Sequence, residues 1–129
     1  MKQIFALILC ALLLVGCGGT AQEAAYQQVD MAEAIRLMEK ETDYILLDVR
    51  TVAEYNERHI PGAIVIPNES IGETAPPELP DKAQLILVYC RSGNRSKQAA
   101  EKLAALGYTN VVEFGGINDW PGETVSSAM

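Results

Sequence analysis

Residues 85–96 read Leu-Ile-Leu-Val-Tyr-Cys-Arg-Ser-Gly-Asn-Arg-Ser. An uncharged apolar run of strand length ends at Cys90, a short polar loop with one glycine and two arginines follows, and a helical pattern then begins. That order places one thiol at the bottom of a cup of backbone N–H groups, beside a helix N-terminus and the guanidinium groups of Arg91 and Arg95. Each of these elements stabilises negative charge on sulfur or on a bound anion. The chemistry implied is attack by a cysteine thiolate on an anionic substrate.

The other two cysteines belong elsewhere. Met1-Lys2-Gln3 is a short positive start, Ile4 to Val15 is apolar and uncharged, and Gly16 is small. This reads as a secretory signal rather than a membrane span, because a spanning helix needs about 20 apolar residues. The stretch ends Leu14-Val15-Gly16-Cys17, which resembles the lipobox of bacterial lipoproteins. In that family the matching cysteine, here Cys17, is lipidated and becomes the new N-terminus, while Cys10 leaves with the signal. The expected localisation is therefore the extracytoplasmic face of a bacterial envelope membrane. Cys90 remains as the single thiol, which excludes an internal disulfide and a multi-cysteine metal site and suggests a reactive thiol or an intermolecular partner. With 17 acidic against 10 basic residues and a net charge of −7, the chain lacks the basic surface that nucleic acid demands.

The elements that must hold Cys90 follow from periodicity. After a small, polar tether over 17–25, Tyr26 to Val29 reads as a short strand. Asp30 with Glu33 is a capping-box-like start for a helix to about Lys40, with Met31, Ala34, Ile35 and Met38 at helical spacing. Tyr44 to Asp48 is a continuous apolar strand of the buried parallel kind. Thr51, with Glu54 three residues on, caps a short helix to Arg58, and Ala63 to Ile66 is a strand closed by Pro67. Residues 69–80 hold three of the six prolines and read as a connector with one short helix near Ser70. Leu85 to Tyr89 is the strand feeding the cysteine, Ser96 to Leu106 a helix stopped by Gly107. Asn110 to Phe114 is a last strand, Gly115-Gly116 a turn, Ile117 to Trp120 a helical turn, and 122–129 a loose tail. Alternating strands and helices predict one α/β domain over 26–121, a small parallel sheet with helices on both faces. Sites in such sheets sit at the carboxyl ends of the strands, where Asp48 and Cys90 both lie.

Four segments in order then resemble the single-domain rhodanese family of sulfurtransferases. They are Leu47-Asp48-Val49-Arg50, Glu54-Tyr55 through His59-Ile60-Pro61-Gly62-Ala63, Val88 through Ser96, and Gly115-Gly116 with Trp120 four residues later. The resemblance implies a rhodanese-like fold and a persulfide cycle in which Cys90 takes the outer sulfur of thiosulfate or a related donor and passes it to cyanide or a thiol. It implies no metal and no organic cofactor; the partners are small sulfur-containing anions, and a monomer is the default. In that context Gly93 lets the loop turn back over the sulfur without a Cβ in the way. Arg91 and Arg95 are the candidates for the donor's sulfonate, because guanidinium groups match oxyanion geometry. Ser92, Gly93, Asn94 and Ser96 act through backbone geometry, Ser96 also as a candidate helix cap. Asp48, Arg50 and His59 support the loop architecture, and Trp120 covers the core.

Two rival readings use the same residues. Dual-specificity phosphatases and arsenate reductases share the strand–cysteine-loop–helix cup, but their loop is Cys-x5-Arg. Here the closing arginine is Arg95, five positions after Cys90, and position 96 is Ser96, so the cup is smaller and suits a single sulfur atom. A partner-specific persulfide carrier or a non-catalytic binding module is the other rival; turnover of small donors separates it from an enzyme.

Overall fold

A computed structural model describes residues 25–127. The expected signal segment, Cys17 and nearly all of the tether lie outside the described residues. Among these residues five strands and three helices follow in the order β1 (Gln27–Gln28), α1 (Met31–Lys40), β2 (Tyr44–Asp48), α2 (Val52–Glu57), β3 (Ile64–Val65), β4 (Leu85–Cys90), α3 (Asn94–Ala105) and β5 (Val111–Gly116). Single 3-10 turns occupy Asn68–Ser70 and Ile117–Asp119. The sheet is parallel throughout, in the order β1-β5-β4-β2-β3.

Alternation along the central strands divides the core into two layers. Leu47, Ile86, Val88, Cys90 and Val111 face α3, meeting Ala99, Ala100 and Leu103. Leu46, Leu87, Tyr89, Val112 and Phe114 point the other way, onto Ala34, Leu37 and Met38 of α1 and Tyr55 of α2. Each large aliphatic side chain so covered contributes about 1.5–3 kcal/mol. With both faces buried, β2 and β4 read as continuous apolar runs rather than alternating ones.

Local chemistry starts the first two helices as the sequence suggests. The Asp30 side chain accepts the Glu33 N–H at 2.9 Å, and Thr51 with Glu54 forms a reciprocal capping box. Three expectations need correction. The third helix begins at Asn94, not Ser96, because Gly93 takes a left-handed φ of 118° and is itself the N-cap. Ser96 is therefore inside the first turn, and it caps nothing. Gly115-Gly116 is not a turn but the end of β5, where an irregularity sets Val88 beside Glu113 and Cys90 beside Gly116, two residues against three. The C-terminal segment is not loose either. His59 and Val125 exchange both backbone hydrogen bonds, at 2.8 and 2.9 Å, and the Ser127 N–H donates to the Asn56 carbonyl at 2.9 Å.

Candidate active site

The carboxyl ends of β2, β4 and β5 converge on the loop from Arg91 to Gly93. Cys90 is 1% exposed, and the Gly93 N–H donates to its Sγ at 3.0 Å. That donor is available because Gly93 adopts the left-handed conformation, which aims its amide back at the strand end. The sulfur also lies 3.4 Å from the Ser96 hydroxyl. The thiol thus lies at the start of a 12-residue helix and is met by a backbone donor.

Gly116 holds the loop down. A Cβ built on it would come within 2.0 Å of the Arg91 carbonyl oxygen and 2.5 Å of the Ser92 nitrogen, so only glycine lets the end of β5 lie against the cysteine loop. The Asn118 N–H then donates to the same Arg91 carbonyl at 3.2 Å. The Gly-Gly pair was visible in the sequence, but its meaning was a close approach of two backbones.

The two loop arginines part company. Arg91 is exposed and lines a cleft of ≈ 150 Å³ with Arg50, Glu54, Glu57, Arg58, Ile117 and Asn118. Arg95 binds Glu54 through two guanidinium nitrogens, at 2.8 and 3.1 Å. That hydrogen bond is the chief reason Glu54 sits far below the ordinary carboxylate range, at about 2. It also raises Arg95 above the usual guanidinium value, and the charge on Cys90 adds a smaller push in the same direction. Arg95 therefore faces the sulfur's charge while tied to α2. Ser92 and Asn94 make no side-chain bond in the cup; Asn94 opens α3, and both are exposed.

Asp48 and Arg50 form a corner behind the loop. Both side chains are buried, and Arg50 Nη2 meets Asp48 Oδ2 at 2.7 Å. The same nitrogen donates to the Arg58 carbonyl at 2.6 Å, while the Arg50 N–H is capped by Asp48 Oδ1 at 2.9 Å. Burial would lower Arg50, but Asp48 outweighs it and the net shift is upward. The guanidinium lies over the Tyr89 ring, 5.8 Å from its centroid, and burial pushes the Tyr89 phenol well above its ordinary value. His59 stacks on Tyr55 at 3.7 Å and 6°, and its Nδ1 faces the Tyr55 carbonyl at 2.8 Å, so that nitrogen carries the proton. Its bonded partners are on α2 and the C-terminal segment, not in the cysteine loop. Trp120 packs against the α1-side core.

One buried group escaped the sequence reading. Glu113 is 2% exposed and lies on the Cys90 face of β5. Its Oε2 accepts the Ser96 hydroxyl at 2.5 Å and the Gly115 N–H at 2.9 Å, and Gln28 Nε2 donates to Oε1 at 3.2 Å. The available signal was a glutamate within a strand otherwise apolar on both faces.

Fold and site together define an α/β domain with a strand-end thiol under a helix, and residues 30–123 match the rhodanese-like domain. The chain belongs to the rhodanese-like domain family. Thiosulfate sulfurtransferase PspE of Escherichia coli (strain K12) is 41% identical over 73 residues, covering 57% of this chain and 70% of that protein. The putative sulfur carrier protein YrkF of Bacillus subtilis (strain 168) is 34% identical over 103 residues, 79% of this chain, which spans 50% of that relative. Among solved structures, a rhodanese with anions from E. coli superposes with a TM-score of 0.59 at 37% identity, covering 64% of this chain and 98% of that one.

Proposed function

We propose that this protein moves a sulfane sulfur from thiosulfate or a related donor to a thiophilic acceptor through a persulfide on Cys90. The observation that carries this reading is the Cys90 Sγ held by the Gly93 amide at the head of α3. Its chemistry is balanced without a cofactor. The thiolate bonds to the outer sulfur of the donor, the sulfur–sulfonate bond breaks, and the electron pair leaves on sulfite. Cyanide or a thiolate then takes the terminal sulfur and returns the Cys90 thiolate. The cup amide and the helix N-terminus face the sulfur in both states, so negative charge is met by the same fixed dipoles throughout. Arg91, at the exposed rim, is the guanidinium free to meet the sulfonate. Arg95, tied to Glu54, contributes its field across the cup.

The similarity to a protein named as a putative sulfur carrier favours a second reading, in which Cys90 passes sulfur to one dedicated partner. Thiocyanate formation from thiosulfate and cyanide separates the two. The full-length protein turns over under the first reading and Cys90→Ser does not. Absence of turnover with a demonstrably free thiol supports the carrier or a non-catalytic binding module. The lipobox-like Leu14-Val15-Gly16-Cys17 supports anchoring of the domain to an envelope membrane through acyl chains on Cys17, two or more of which hold stably. Labelled fatty acid incorporated by the wild type and lost in Cys17→Ser tests it.

A further inference from the structure

Glu113 is a buried carboxylate whose hydrogen-bonding partners are all neutral. From β1 it meets Gln28, from α3 the Ser96 hydroxyl, and from its own strand the Gly115 amide. The charged and titratable groups around it do not neutralise it. Arg95, beside Ser96 on α3, is bound to Glu54. On the β1 side the Tyr26 phenol is raised by burial first, then by the charges of Glu101 and Glu113. The layer contributed by α1 is apolar. From β4 the facing group is Cys90, reached through Ser96.

Ser96 is the hinge of this arrangement because a hydroxyl has one proton and accepts as well as donates. Its Oγ lies 2.5 Å from Glu113 Oε2 and 3.4 Å from Cys90 Sγ, with the Gly93 and Gly115 carbonyls at 2.9 and 3.3 Å as further acceptors in reach of the one hydroxyl proton. We propose that Cys90 and Glu113 share a single proton across the Ser96 hydroxyl, which makes Glu113 the positioning residue that holds the proton while the sulfur is anionic. In one arrangement the Cys90 thiol donates to Ser96, and Ser96 donates to the Glu113 carboxylate. In the other the S–H bond has broken, its proton has become the Ser96 hydroxyl proton, and the former hydroxyl proton sits on Glu113 Oε2. Glu113 then donates to Ser96, and Ser96 donates to the thiolate. One proton has moved from Cys90 to Glu113, and one negative charge has moved the other way. The protonated Oε2 keeps a lone pair for the Gly115 N–H, so no buried donor is orphaned in either arrangement. The thiolate thus forms without releasing a proton to solvent, and the cup carries one negative charge rather than two.

This inference rests on the reading of Cys90 as the reactive thiol but not on any particular sulfur donor. The test is the pH titration of the Cys90 thiolate in the full-length protein, followed by ultraviolet absorbance and by alkylation of the Cys90 peptide, each taken as the difference from Cys90→Ser, in wild type and Glu113→Gln. A shared proton makes the thiolate appear in two partial stages, the second held to higher pH by the charge already present across Ser96. Glu113→Gln cannot hold the proton, so a single stage is expected, with its midpoint below the upper stage of the wild type. Single-stage titration of the wild type, or the same two stages in Glu113→Gln, overturns the proposal. Should Glu113→Gln fail to fold, infrared spectra decide between the outcomes using the wild type and Cys90→Ser alone. At the pH between the two stages the wild type shows a protonated carboxyl band that Cys90→Ser lacks; bands alike in both proteins overturn the proposal. Thiocyanate turnover is scored separately, so a two-stage titration in a protein that turns over no thiosulfate leaves the proton sharing intact and removes only the sulfurtransferase reading.

Discussion

Two carboxylates are buried at the carboxyl edge of the sheet, and they are treated in opposite ways. Asp48, at the end of β2, is locked to Arg50 by three side-chain hydrogen bonds of 2.7–3.2 Å. Glu113, on β5, has only a hydroxyl, an amide N–H and a carboxamide. Taking a charge out of water is costly unless a partner compensates it. A carboxylate with a guanidinium on it has its charge compensated, and it holds the corner behind the loop. One held by neutral donors beside a thiol is the group proposed to take the shared proton. The difference separates the carboxylate that is paired with a charge from the one that is linked to the thiol.

The largest effect is expected from breaking the locked corner. Arg50→Ala leaves Asp48 charged and buried, and should lower unfolding stability in urea by about 3–5 kcal/mol. A loss under about 1 kcal/mol would show that Asp48 simply protonates, and the contrast with Glu113 would collapse. Next is Gly116→Ala, whose Cβ meets the Arg91 carbonyl at 2.0 Å. Overpacking of this kind costs about 1–3 kcal/mol, and because the displaced backbone is the cysteine loop, sulfur transfer should fall more steeply than stability. Glu113→Gln sharpens the comparison from the other side. Its carbonyl can still accept from Ser96 and Gly115, so the stability change should stay within about 1 kcal/mol, while the thiolate titration changes form. The smallest effect belongs to the partly exposed Arg95–Glu54 pair. Glu54 is depressed from 4.5 to about 2, so its stabilisation is present above about pH 4.5 and is lost as the pH falls towards 2. Solvent screening limits it to about 1 kcal/mol. Glu54→Gln should flatten that part of the stability curve by lowering the neutral-pH stability by up to about 1 kcal/mol, with the two proteins converging as the pH falls towards 2.

The order of elements, the parallel sheet and the thiol at a strand end were all legible in the sequence, because each rests on a local pattern. An apolar run of strand length, a cap residue with a glutamate three positions on, and a glycine after a cysteine carry their meaning within a few residues. What was not legible depends on pairing between segments far apart in the chain. Arg95 read as a free anion binder, since nothing local says that Glu54, 41 residues earlier, will reach it. Gly116 read as a turn, because its role is set by the irregular register of β5 against β4. Ser96 read as a cap, because the left-handed Gly93 starts the helix two residues sooner. Glu113 was passed over for the same reason: its partners come from β1, α3 and its own strand end, and only the folded sheet brings them to one oxygen. The C-terminal segment shows the same limit, its composition saying little and its bridge to His59 deciding where it lies.

Under the proposed function, the Cys90 sulfur held by the Gly93 amide is the atom that carries sulfur between donor and acceptor. The most direct test is the intact mass of the full-length protein after incubation with thiosulfate. A gain of about 32 Da, mapped to the Cys90 peptide, removed by cyanide and absent from Cys90→Ser, is the persulfide expected here. Unchanged mass at Cys90 with a demonstrably free thiol, or the same gain in Cys90→Ser, would contradict it.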